Sequence, residues 1–207
     1  MTAVIAIDKV TAWVQKNICE PVQLKEPPNN DKANDENYEY RRVTPACYSL
    51  FLPGEEKTAP QFIPQTPSVC VKVLAGEDNL TTNESTLTFE LSFCAWDPGV
   101  YGRDILVPDK NDPFTFREWR GKESDKFLKI DGQGWRDVWN WIDTGLQSIR
   151  NTTEMNGVAL DLETPVTYGP YADQDGIVDI FPYWLAWISF KAKMPIRKNI
   201  NRIEELL

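Results

Sequence analysis

The feature that most constrains this chain is a stripe of apolar residues in its second half. Trp135, Val138, Trp139, Ile142, Leu146 and Ile149 recur at i, i+3, i+4, i+7, i+11 and i+14, the spacing that lines up side chains along one side of an α-helix. A helix is therefore predicted from Gly134 to Asn151. Gly132 and Gly134 loosen the chain before it, and Asn151 follows its last periodic residue, as helix boundaries do. Asp137 in the first turn and Arg150 in the last each sit at the end that the macrodipole favours. Such a stripe has to cover something apolar. Apolar runs stand on both sides of it, at Val69 to Trp96 and at Val158 to Ala192, and these are expected to form one sheet on which the helix lies.

Taken from the N-terminus, Ala3 to Ile18 reads as a second helix, with Val4, Ile7, Val10, Val14 and Ile18 near one face. Trp13 falls off that stripe, either as a single exposed edge or as a contact point for a neighbour. Residues 24–37 are polar and proline-bearing and read as a loop. Val43 to Leu52 suits a strand, closed by Pro53-Gly54, and Pro60, Pro64 and Pro67 then give an extended crossing segment. Ser68 to Ala75 and Thr86 to Trp96 form a hairpin around the turn residues Gly76-Glu77-Asp78-Asn79, with Leu87, Phe89, Leu91 and Phe93 on one face.

Residues 97–131 form an irregular insertion carrying Phe114, Phe116, Trp119 and Phe127, too aromatic for a solvated linker. The segment folds over the body or onto a partner. Gly157 to Thr164 alternates as a strand with one wet face, and Tyr168 to Gly176 reads as a loop. Tyr183 to Ala192 is a strand apolar on both faces, hence central in the sheet or covered by another subunit; Pro195 stops it. The arm 196–207 opens with Arg197, Lys198 and Arg202 and spaces Ile200, Ile203 and Leu207 helically, as a docking arm or a frayed terminal helix. The fold class expected is α+β over residues 1–207 as one domain. It consists of a small mixed, mostly antiparallel sheet, an N-terminal helix and a central amphipathic helix on one face, and long loop insertions.

The chain contains no His, which removes the side chain best suited to proton transfer near neutrality. Its formal net charge of −9 argues against wrapping nucleic acid, and suits a surface past which DNA slides without sticking. Cys19, Cys47, Cys70 and Cys94 lack metal-site spacing. A Cys70–Cys94 disulfide is conceivable between neighbouring strands, with buried free thiols the favoured reading. Asp97 beside Trp96, and Asp173 with Asp175, read as turn chemistry rather than as catalytic acids; Asp173-Gln-Asp-Gly matches only part of a calcium loop. No catalytic centre, cofactor or metal is expected. The N-terminus shows no signal-peptide pattern and the longest apolar run is too short to span a membrane, so synthesis in the cytoplasm is expected. Eight tryptophans exceed what the core stripes use: Trp141 is displaced from its helix stripe, and Trp184 or Trp187 must face outward. They anchor an interface or pack under the 97–131 segment.

The order of elements carries several short motifs: Val69-Cys-Val-Lys-Val, Thr86-Leu-Thr-Phe-Glu-Leu, Gly134-Trp-Arg-Asp-Val opening a helix, Leu160-Asp-Leu-Glu, and the late Pro182-Tyr183-Trp184 strand. In this order the chain resembles the tail terminator, or tail completion, proteins of long-tailed bacteriophages and related phage-tail-like particles. The resemblance implies a structural subunit, not an enzyme, that forms a six-membered ring on the tail tube, ends tube growth and presents the surface joining tail to head. Its partners would be copies of itself, the tail tube protein and head-neck connector proteins. DNA would pass through the lumen without specific binding, in a virion tail or neck made in the host bacterial cytoplasm. Trp135, Arg136, Asp137, Tyr183 and Trp184 are the candidate residues near the subunit contact, although Arg136 and Asp137 also suit purely local helix-end roles. Trp141, Trp187, Arg197 and Lys198 are further candidates for the subunit or tail-tube interface. The rival readings are another neck or baseplate component, or a carbohydrate-binding or hydrolytic module using Trp96, Trp119 and nearby carboxylates.

Overall fold

The computed structural model describes residues 2–27, 42–52, 66–97, 134–174, 176–178, 180 and 183–196, together with two short strands at 106–108 and 116–118 whose backbone alone is considered. The predicted loop residues 28–37, most of the 97–131 insertion with its four aromatics, and the arm from Arg197 and Lys198 onward lie outside the described residues.

Helix α1 (Ala3–Val14) starts where the Thr2 hydroxyl oxygen accepts a hydrogen bond from the Ile5 N–H, capping an otherwise unpaired donor. It continues into a wider π-type turn, Gln15–Cys19, which carries Ile18 and Cys19 inward together. The buried arc centres between Ala6 and Val10, which corrects two assignments. Trp13 is inside at 8% exposure, and Val4 is turned out at 62%.

The strands follow as β1 (Leu24–Lys25), β2 (Arg42–Val43), β3 (Ala46–Ser49), β4 (Ser68–Asn79), β5 (Glu84–Trp96), β6 (Leu106–Pro108) and β7 (Phe116–Glu118). After helix α2 (Trp135–Arg150) come β8 (Glu154–Met155), β9 (Val158–Leu160), β10 (Thr167–Pro170), β11 (Ala172–Asp173), β12 (Gly176–Ile177) and β13 (Tyr183–Pro195). Seven of these make one curled sheet in the order β3-β4-β5-β13-β9-β8, with β10 also beside β13. Every pairing in it is antiparallel except β3 with β4. The fold is α+β. The apolar character of both faces of β13 is explained by its central place, with β5 along its whole length on one side and β9 and β10 on the other.

Register builds the core in rows. Val71, Leu91 and Ile188 lie side by side across three strands, as do Val69, Phe93 and Ala186. Both helices cover this face. Phe89 stacks on Phe190 with ring centres 5.5 Å apart, and Phe93 meets Trp141 edge to face at 4.9 Å. Gly145 lets α2 approach closely, since a Cβ there would lie 3.0 Å from the tip of Ile188.

Three expected boundaries differ, each for a local reason. Gly76 to Asn79 is strand rather than turn, and the chain reverses one step later, where Asn79 Oδ1 accepts from the Thr81 and Thr82 N–H groups. Gly76 lies instead against the tip of the Leu87 side chain, 3.0 Å from where a Cβ would stand. Tyr168 to Gly176 holds β10 and the β11–β12 hairpin rather than a loop: Gly169 lies beneath the Trp187 ring, and Pro170 closes the strand while its carbonyl accepts Trp187 Nε1 at 3.0 Å. Val43 to Leu52 is broken at Thr44-Pro45 into two strands. Cys70 pairs opposite Ser92 and Cys94 opposite Ser68, and all four cysteines are free. The thiols that do meet are those of Cys19 and Cys47, whose hydrogen bond, with burial, pushes the Cys19 thiol up.

Trp141 joins the layers, because its Nε1–H donates to the Ile18 carbonyl in the π turn at 2.9 Å. Trp141→Phe keeps most of the apolar surface and leaves that buried carbonyl without its donor, so a loss of about 2 kcal/mol is expected in urea unfolding. An unchanged midpoint would contradict it.

Candidate functional site

The two most specific sequence motifs meet in space. Gly134, at the start of α2, lies against the Trp184 indole and the Asp97 backbone; a Cβ there would collide with Trp184 Nε1 and sit 2.6 Å from the Asp97 carbonyl oxygen. That same carbonyl accepts Trp184 Nε1–H at 2.8 Å. A glycine is therefore demanded here by close approach rather than by turn geometry. The Asp97 side chain is buried and meets Lys25 Nζ at 2.8 Å. Burial pushes the nearby Asp137 carboxyl above its ordinary value, and Asp97 adds to this, while Lys25 and Arg42 oppose it.

Beside this junction the surface opens into an aromatic cup with a cavity of about 450 Å³. Trp135, Val138 and Trp139 supply the α2 wall, Tyr183, Trp184 and Leu185 the β13 wall, and Pro170, Ile177 and Val178 the third. Trp135 is 43% exposed and Ile177 70%, with Tyr168 and Ile180 also exposed. Tyr168 stands edge to face with Trp139 at 6.5 Å, and the Arg136 guanidinium lies 5.2 Å above the Trp135 ring.

The third wall is held from behind, on the sheet face away from the helices. Tyr171 donates its hydroxyl to Glu90 Oε1 at 2.8 Å and contacts Ser92, while Lys72 lies 5.8 Å from the Tyr171 ring centre. Burial pushes the Tyr171 hydroxyl up, so it stays protonated and able to donate. Val178 N–H then bonds the Tyr171 carbonyl at 2.9 Å, tying β12 to this anchor.

Of the candidate residues, Trp135, Tyr183 and Trp184 line the cup, Arg136 stacks on its edge, and Asp137 belongs to the charged group behind it. Trp141 is corrected. At 1% exposure it has no surface to offer a neighbour, because the arc of α2 that meets the sheet is centred on Val138, Trp141, Ile142 and Gly145. Trp135 and Trp139 fall at the margin of that arc. Trp187 faces away from the helices and is engaged with Pro170. Ile177, Val178, Pro170 and Leu185 were not anticipated; the only signal was the Asp-Gly pair at 175–176 in the sequence. Trp96 and Asp97 are both buried, so neither can meet a glycan. Among the described residues there is no cluster of three or more metal-binding side chains, and no helix is long and apolar enough to cross a membrane. Compared with models of known protein families and with curated protein sequences, the chain matches none.

The charged group yields two expectations. Lys25→Met takes the ammonium from a buried carboxylate and is expected to cost roughly 3 kcal/mol in urea unfolding; a loss under about 1 kcal/mol would contradict this. Asp137 has a folded-state value above that of the unfolded chain, so folding takes up a proton there and stability falls as pH rises through that interval. Asp137→Asn removes this decline and should melt higher than the native chain at neutral pH. A difference between the two that stays constant across about pH 4 to 7 would contradict it.

Proposed function

We propose that this chain is a structural subunit that assembles into a ring at the head-proximal end of a phage tail tube, ends tube polymerisation and provides the head-joining surface. The observation that carries the reading is the open aromatic cup at the junction of the Gly134-Trp135 helix start and the Tyr183-Trp184 strand. Large aromatic side chains left open at a polar-rimmed surface are what subunit interfaces are built from. The net charge of −9 supports the same reading, since a lumen of that sign repels phosphate and lets a genome pass without holding it. The partners on this reading are copies of the chain, the tail tube protein and the head-neck connector proteins.

The test is the native mass of the purified chain, followed by electron microscopy with preassembled tail tubes. The expected result is a closed ring, six-membered by resemblance, bound at one end of each tube and halting its extension. A strict monomer that leaves tube ends bare would contradict the proposal. Saturable quenching of the cup tryptophans by a glycan would favour the carbohydrate-binding rival instead.

A further inference from the structure

Two of the four free thiols are brought together at the end of helix α1. The π turn Gln15–Cys19 is wider than an α-helical turn, and it buries Ile18 and Cys19 in succession. Wider turns of this kind recur at functional sites. Cys47 reaches the same place from β3. Its parallel partner is Val69, a core residue, so Cys47 also faces the helices. Cys47 Sγ donates to the Thr11 carbonyl at 3.6 Å, and the Thr11 and Ser49 hydroxyls share a hydrogen bond at 2.9 Å. With its own proton aimed at Thr11, the Cys47 sulfur accepts the S–H of Cys19. Cys19 is fully buried and Cys47 half-buried, so a reagent reaches Cys47 first. Cys70 and Cys94 lack such contact. Each stands opposite a serine, which leaves them diagonal to each other at about 7 to 8 Å, at or beyond the longest Cα separation that a disulfide spans.

We infer that Cys19 and Cys47 form a dithiol site that low-molecular-weight disulfides such as glutathione disulfide oxidise to a Cys19–Cys47 bond, stapling the edge strand β3 to helix α1. Cys47 attacks as the thiolate, its sulfur joining one sulfur of glutathione disulfide while the S–S bond breaks and one glutathione leaves. Cys19 then gives up its proton, attacks Cys47 Sγ and expels the second glutathione. Each released thiolate takes up a proton, so two cysteine thiols and one glutathione disulfide become one protein disulfide and two glutathione thiols. Burial and the Cys47 contact push the Cys19 thiol up, which makes it the slower, resolving sulfur. The bond acts where the sheet is weakest. β3 is a terminal strand joined to β4 over four residues, and short segments of this kind open before the core does. A cross-link there also restricts the unfolded chain.

The test incubates the native full-length chain with glutathione disulfide, quenches it in acid, counts thiols after unfolding and maps bridged peptides by mass. Two of the four thiols should disappear, with a single bridge between Cys19 and Cys47. Amide exchange over Ala46–Ser49 should slow at least about tenfold, and Tm should rise by about 5 °C or more. Dithiothreitol should reverse both. Cys19→Ala should stop at a glutathione adduct on Cys47, and the chain carrying Cys70→Ser and Cys94→Ser should still form the bridge. Retention of all four thiols, or a bridge between Cys70 and Cys94, overturns the inference. A Cys19–Cys47 bridge that leaves exchange in β3 unchanged overturns the staple.

Discussion

The pairing of β5 with β13 is the constraint on which the rest of the molecule depends. Thirteen positions run in register from Tyr183 opposite Trp96 to Pro195 opposite Glu84, without a break. Because side chains alternate between faces, that single register puts Phe89 against Phe190 and Leu91 against Ile188 in the core. It also brings Trp184 to the end of β5, where it reaches the Asp97 carbonyl. A slip of one residue would turn every one of these outward. The helices follow from it: Gly145 and Trp141 place α2 over the Phe93 and Ile188 rows, and Gly134 starts it under the Trp184 ring.

The open cup is a by-product of this arrangement that the described residues leave unfilled. Helix α2 begins at the margin of the sheet, so its first turn has sheet on one side only, and Trp135 and Trp139 are left between core and water. Tyr171 ties the third wall to Glu90 and Ser92 on the sheet face away from the helices. Charged groups brace the sheet away from the cup. Asp161 is held below the usual carboxylate range by the Thr164 hydroxyl and by Lys193, which reaches it at 2.9 Å from the end of β13. A cavity supported on three sides is preorganised, and binding there costs little ordering.

Much of this was readable in the residues. The α2 boundaries, the β4–β5 hairpin and the double-sided β13 follow from spacing alone, and the meeting of the Gly134 and Trp184 motifs gives the two of them a common physical basis. What spacing could not supply was the centre of each buried arc. A helix with three tryptophans can turn any of them inward, and the choice of Trp141 over Trp135 depends on a carbonyl in a π turn more than a hundred residues away. Glycine was the second ambiguity. Gly76, Gly134 and Gly169 all look like turn or loop signals, yet they lie against the side chains of Leu87, Trp184 and Trp187. The third wall of the cup was missed for that reason.

The central claim is that the cup is covered by another copy of the chain. Hydroxyl-radical footprinting of Trp135, Trp139 and Ile177 in dilute and in assembled samples measures that cover directly. The account predicts strong labelling in the dilute chain and protection on assembly. Equal labelling of the cup in both samples would contradict it.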